Sequence, residues 1–490
     1  MSRVPIRPPF IARLLSALKQ RRQFRCRHCW SVSKPQLESN LETRIDFDFV
    51  YLLDPANRSK IRDDIRNRKQ IGDIDALHAT WQELQAFLQR FNQHNNNNLT
   101  QQTPDANVGR KQLKQKWDDF YRLAGEIPNR SHVDCPIGDQ PRCVRVIGKD
   151  RPTRKRARLA EQWGTSWRSL RRDIAHAAGH RSYALVGPLA RLESALMRFA
   201  RDTLRQLDPA FQAAVVPDVV ERRVVQGCGL IAPPPTPVGQ SLSSPIQSHT
   251  GTGLTYVLMN EPTVCLSGTG EIGLATFLAN RTLPLESLPL KLLTTSRCFR
   301  AEAHGGGDEH ALYRVHEFTK MEMFMVTADE TGAESDAALQ HLLSIQTKLY
   351  ERLGLHFRIM DMPTNDLGAA AHRKFDCEAF MPGRSLWGEV SSASNCLDYQ
   401  ARRLNIRYTS NEKPARHAHT CNGTLVATTR LMIAVLESAQ NDLATNVQLP
   451  TVLQINEPSD QPQQQQRSRK RLPPWLVRSN DRRTQFDWVT

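Results

Sequence analysis

The stretch from Cys298 to Glu322 constrains this chain more than any other. It reads Cys298-Phe299-Arg300-Ala301-Glu302, a loop holding Gly305, Gly306 and Gly307, then Tyr313-Arg314-Val315-His316-Glu317-Phe318-Thr319-Lys320-Met321-Glu322. Two β-patterned runs around a polar, glycine-rich loop predict an antiparallel hairpin. An arginine at the end of the first strand can hold a phosphate through two parallel N–H bonds, and an aromatic ring on the second can stack a base. The chain has no GxxxxGK[ST] loop, so a P-loop is excluded and a nucleotide site must be built from other parts. Taken singly, Glu302, Glu322 or Glu389 would be read as solvent-facing or salt-bridged acids, and His316 as a structural hydrogen-bonder.

The hairpin lies within residues 180–457, which alternate helical and strand patterns without low complexity, a length sufficient for one large core. Upstream, Ile74, Leu77, Trp81, Leu84, Leu88 and Phe91 step by three and four residues. Leu113, Trp117, Phe120 and Leu123 repeat the pattern beyond the polar stretch 95–107. This spacing predicts two helices around a polar tip, either a protruding antiparallel hairpin or a pair laid on the main core. The expected organisation is therefore 1–34 leader, 35–130 helical hairpin domain, 131–179 basic linker or hinge, 180–457 catalytic domain and 458–490 basic tail.

Charge is informative at the ends. Residues 1–34 carry nine Lys and Arg with no acid before Glu38, and Phe10, Ile11, Leu14, Leu15 and Leu18 fall at helical spacing among them. That is the composition of a mitochondrial transit peptide rather than a secretory signal; a basic arm is the alternative. The run Lys149, Arg151, Arg154, Lys155, Arg156 and Arg158 is either a solvated linker or a contact for RNA phosphates. In the tail, Arg467, Arg469, Lys470 and Arg471 lie with Trp475 and Trp488, suited to RNA by charge and stacking or to a plain surface tail. The whole chain has a net charge of +16, which favours a polyanionic partner. No run approaches the ~20 apolar residues needed to cross a membrane. The ten cysteines follow no repeating frame, and the Cys26–Cys29 pair has no second pair at zinc spacing, so neither a disulfide scaffold nor a protein-bound zinc is expected.

The hairpin resembles motif 2 of the class II aminoacyl-tRNA synthetases. Val216-Pro217, after the helical pattern Leu189 to Leu204, resembles their motif 1. Asn422-Gly423-Thr424, with Arg430 opening the apolar run Leu431–Leu436, resembles motif 3. Within the class, Thr269-Gly270-Glu271, Glu389-Val390-Ser391-Ser392-Ala393-Ser394-Asn395 and Thr420-Cys421-Asn422-Gly423-Thr424 are similar to segments of the seryl enzymes. Ile127-Pro128-Asn129 and Pro136-Ile137-Gly138 are similar to their domain hinge. The resemblance spans roughly residues 50–457. Cys421 stands where the family usually has leucine, and Gly270 where serine or alanine is common.

The resemblance implies an α+β fold: an antiparallel sheet flanked by helices, preceded by the N-terminal antiparallel helical hairpin, which by the same resemblance is the tRNA-binding domain. It implies a ligase that activates serine with ATP and loads it onto serine tRNA, acting as a homodimer with Pro217 at the interface. With the leader, it places the protein in the mitochondrial matrix. By the same resemblance Arg300 grips the α-phosphate, Glu302 lies near the adenine with Ala301 between them, Val315 flanks the base and Phe318 stacks on it. Glu389, Val390, Ser391 and Ser392 complete the ATP site, Glu389 and Ser392 hold Mg2+, and Arg430 holds the γ-phosphate; Arg300, Arg430 and Glu389 are the catalytic set. Thr269, Gly270, Glu271, Glu322, Asn422 and Thr424 line the serine pocket. An ammonium group favours carboxylates, and a pocket that hydrogen-bonds a hydroxyl rejects alanine because its polar groups would go unpaired.

Overall fold

The computed structural model describes residues 45–97, 104–148, 157–179, 181–230, 255–302, 312–410, 413–440 and 447–453. The leader, the 458–490 tail, the Cys26–Cys29 pair and most of the 149–158 charge run lie outside them.

The two helical patterns form α1, Ile74–Asn97, and α2, Pro104–Glu126. Ile74, Leu77 and Leu84 of α1 meet Phe120 and Ala124 of α2, and the Trp81 and Phe120 rings lie 5.1 Å apart. Their main partners are each other and the helix Arg58–Asn67, which adds Ile61 and Ile65 to the same core. The stripe is thus closed from within, and the pair forms a hairpin rather than a layer laid along the main sheet. The hinge anchors its base. Asn129 is buried and its amide donates to the carbonyls of Ala370 at 2.8 Å and Cys396 at 2.9 Å. The buried Arg68 donates to the Asn129 carbonyl at 2.6 Å and also contacts the Gly368 carbonyl. A guanidinium placed there without those carbonyls would be costly.

The principal sheet has eight strands: β1 Arg142–Ile147, β2 Gln212–Ala214, β3 Leu290–Phe299, β4 Glu317–Thr327, β5 Phe357–Asp361, β6 Arg373–Met381, β7 Leu386–Asn395 and β8 His419–Ala427. Their spatial order is β1-β5-β6-β7-β8-β4-β3-β2, antiparallel throughout except that β2 runs parallel to β3. One expectation changes here. Residues 131–179, read as a linker, supply the edge strand β1 and the helix Ala160–Ser166, whose Trp163 enters the main core. The reason is physical: an edge strand keeps Val144 and Val146 half-exposed, so β1 shows no burial pattern to read.

Alternation along β4 divides the sheet into two faces. Met321, Met323 and Met325 enter the core built with α3 Pro188–Leu207, α5 Glu334–Arg352 and α6 Thr428–Ser438. Phe324 and Val326 point the other way, against α4 Gly270–Leu278. Phe318, Lys320 and Glu322 share that second face at the period of two. Between α4 and the β3–β4 hairpin, the polar residues singled out in the sequence come together.

Candidate active site

Thr269 holds the N-cap position of α4, without a side-chain capping bond, and Glu271 lies in the first turn, so both are held against the middle of β4 and β8. Glu271 Oε1 accepts from the Gln400 amide at 2.5 Å and the Asn422 amide at 2.8 Å. Thr269 donates to Glu322 at 3.3 Å, and Lys320 donates to Thr269 at 2.7 Å and Thr424 at 3.4 Å while contacting Glu322. Gly270 has a packing reason. A Cβ there would lie 2.7 Å from Thr294 Cγ2 and 3.1 Å from Glu322 Cβ, pushing α4 off the sheet. Burial raises the Glu271 carboxyl to about 7, with the Glu322 charge adding to it and the Gln400 bond and Lys320 opposing. The pocket is a small, buried set of acceptors with one internal cation. Cys421 is fully buried beneath it, with its thiol on the Ser335 carbonyl at 3.2 Å.

Next to this pocket lies a second, basic one. Arg300 follows β3, and its guanidinium lies 5.3 Å from the Phe318 ring centre while Nε donates to the Gly268 carbonyl at 3.3 Å. The peptide N–H of Arg300 donates to the His316 carbonyl at 2.8 Å, and His316 Nδ1 lies 3.0 Å from the Arg300 carbonyl and 3.0 Å from the Tyr256 hydroxyl. His316 therefore holds the ends of the hairpin together. Val315 and Phe318 form one apolar cluster with Cys298, Ala427 and Tyr183. Glu302 is buried in a left-handed backbone, φ 45°, and accepts from Arg314 at 3.3 Å; such a conformation in a non-glycine residue marks a constrained position. Ala301, between Arg300 and Glu302, is partly exposed.

Across the cleft, Arg430 at the start of α6 donates to Glu389 Oε2 at 2.9 Å and lies 4.5 Å from the Tyr313 ring centre. The Tyr313 hydroxyl donates to the Glu389 carbonyl at 3.4 Å. Burial would raise the Glu389 carboxyl, but Arg430, then Lys374 and Arg300, bring it down to about 2, so it is anionic. Val390 and Ser391 are buried, Val390 in the helix-side core, so only their backbone can face the cleft. Ser392 is partly exposed and pairs in register with Asp376.

No group of three or more His, Cys, Asp or Glu able to hold a metal occurs among the described residues. The oxygen donors of Glu389 and Ser392 are nevertheless of the hard type that Mg2+ takes. Asp376, in register with Ser392, has a buried Oδ1 with no hydrogen-bond partner, so the surroundings fit a small cation held together with a ligand's phosphates. Pro217 is exposed on the segment that follows β2.

Sequence reading passed over Lys320, Gln400 and Tyr313 as site residues. Lys320 carried a usable signal, the strand period that puts it between Phe318 and Glu322. Tyr313 and Gln400 reach the site from an irregular turn and a short helix, where no period applies.

Residues 257–439 match the family model described as the tRNA synthetase class II core domain (G, H, P, S and T). The chain is 34% identical over 424 residues to the mitochondrial serine–tRNA ligase of Bos taurus, across 79% of this chain and 78% of that protein. It is 36% identical over 331 residues to the serine–tRNA ligase of Treponema denticola, across 66% of this chain and 72% of that one. Among solved structures it is similar to the seryl-tRNA synthetase of Pyrococcus horikoshii complexed with ATP, at 26% identity and a TM-score of 0.66, over 81% of this chain and 95% of that chain.

Proposed function

Because the chain belongs to the serine–tRNA ligases, we propose that its two adjoining pockets hold serine and ATP for adenylate formation, with the residue roles that follow. The protein is a mitochondrial serine–tRNA ligase: it activates serine with ATP and loads it onto serine tRNA. The observation that carries the site assignment is the shared face of β4. Phe318 and Glu322 are four residues apart on one strand, ~13 Å at the usual rise, so base and amino acid fit side by side on one ruler.

Phe318 and Val315 take the adenine, with Glu302 at its edge. Arg300 neutralises the α-phosphate and Arg430 the γ-phosphate. The serine carboxylate attacks the α-phosphorus in line, and pyrophosphate leaves. No side-chain nucleophile is required; positioning and charge neutralisation carry the step. Glu389 and Ser392 would hold Mg2+ with ATP, and that ion when bound neutralises phosphate charge. Glu271 accepts the serine ammonium, while Thr424 and Glu322 face its hydroxyl. The 3′-hydroxyl of the terminal adenosine of serine tRNA then attacks the seryl carbonyl carbon, and AMP leaves as the carboxyl–phosphate bond breaks. We place this activity in the mitochondrial matrix.

A homodimer is supported by the surface around Pro217. Val215, Val219, Met259 and Phe277, all more than half exposed, sit on that segment, its small sheet and α4. Exposed apolar groups of this density mark an interface.

The role of Arg300 is tested by Arg300→Ala. Serine-dependent pyrophosphate exchange should fall on the order of 10²–10³-fold, as for loss of a donor to developing charge, with the circular dichroism spectrum unchanged. Near-normal exchange in that folded variant would remove Arg300 from the mechanism.

A further inference from the structure

Lys320 stands between Phe318 and Glu322 on the cleft face of β4, its side chain only 7% exposed. An ammonium has three donors and no acceptor. Here they are directed at Thr269 Oγ1 at 2.7 Å, Thr424 Oγ1 at 3.4 Å and the Glu322 carboxylate. The Thr269 hydroxyl accepts from Lys320 and donates its one proton to Glu322. The Thr424 hydroxyl also accepts from Lys320, which turns its own proton away from the lysine. Among the described residues that proton has no acceptor, so it is available to a ligand. The lysine also cancels one of the two carboxylates, Glu322, and leaves Glu271 facing the ligand with its amide donors.

Resting on the assignment of this pocket to serine, we propose that Lys320 is a specificity-determining residue. It fixes the hydrogen-bond direction of the pocket hydroxyls and trims the pocket's negative charge, so that the side chain accepted is a neutral hydroxyl rather than a second cation. The compound that reads this directly is L-2,3-diaminopropionate, which differs from serine in carrying an amine in place of the hydroxyl. Against the native pocket it brings a cation towards Lys320 and donors towards the Thr424 proton. Without Lys320 it meets two uncompensated carboxylates.

The experiment is pyrophosphate exchange by the full-length protein with each compound. In Lys320→Met the KM for serine should rise about 10–100-fold, the scale of a lost charge-assisted hydrogen bond, while the KM for ATP stays within about threefold, a change too small for loss of such a bond. The preference for serine over diaminopropionate should fall at least about tenfold, because a buried charge is no longer opposed. Lys320→Gln keeps a donor without the charge; it should recover part of the serine KM but not the lost discrimination. If Lys320→Met also loses ATP, Lys320→Gln decides alone. A serine KM near the native value, or two substrates weakened equally with their ratio intact, overturns the proposal and leaves Lys320 a packing residue. Glu271→Ala in parallel separates the two layers. If it too spares the serine KM, the serine-pocket assignment fails; if it raises that KM while the Lys320 variants do not, only the lysine inference fails.

Discussion

Glu271 makes the pocket sensitive to pH. Its carboxyl is raised to about 7, first by burial and then by the neighbouring Glu322 charge, so below neutrality it carries a proton that an arriving ammonium must displace. Serine favours the ionised form, and by linkage its binding lowers that pKa and releases the proton. The sign follows: the KM for serine should fall as pH rises from about 6 through 7, then level off. Proton release, measured by calorimetry in buffers of different ionisation enthalpy, should appear at pH about 6.5 and vanish well above 7; proton uptake there would contradict the assignment. The acids of this pocket were legible in the sequence because the TxE-like triplet and the motif 2 strand both resemble family segments. Their cation was legible only in principle. Lys320 belongs to the same alternation as Phe318 and Glu322, but a single lysine on a strand reads as a solvated edge until the neighbours that bury it are known.

At the level of elements, a period was readable wherever one face of an element is buried and the other is wet. α1, α2 and α3 fall where Ile74–Phe91, Leu113–Leu123 and Leu189–Leu204 predict them. β4 gives up its pattern in the alternation of Met321, Met323 and Met325 with Lys320, Glu322 and Phe324. β1 does not, since solvent reaches both of its faces, and its role in the sheet depends on pairing with β5, more than two hundred residues later. The Asn129 anchor is similarly non-local, tying the hinge to carbonyls of Ala370 and Cys396. The helical hairpin has its own core, so it can be weakened apart from the chemistry. Leu84 is fully buried there, and Leu84→Ala should cost ~2–5 kcal/mol locally. Loading of serine tRNA should drop at 37 °C while serine-dependent pyrophosphate exchange holds; thermal melts and paired assays check this, and equal loss of both activities would tie the hairpin to the adenylate step.

For the molecule as a whole, the apolar surface around Pro217 is where we propose that two copies of the chain meet. The chain of 55.6 kDa should therefore sediment at about twice that mass. Met259→Glu combined with Phe277→Glu should shift it to monomer, and a monomeric native protein would withdraw the interface. What most directly tests the joint placement of ATP and serine is amino-acid-dependent pyrophosphate exchange by the purified protein with magnesium, run with each proteinogenic amino acid in turn. Exchange should be driven by serine, with alanine, threonine and cysteine far behind. Exchange driven by a different amino acid, or by none in a correctly folded preparation, would contradict the pairing of the Arg300–Phe318 site with the Glu271–Glu322 pocket.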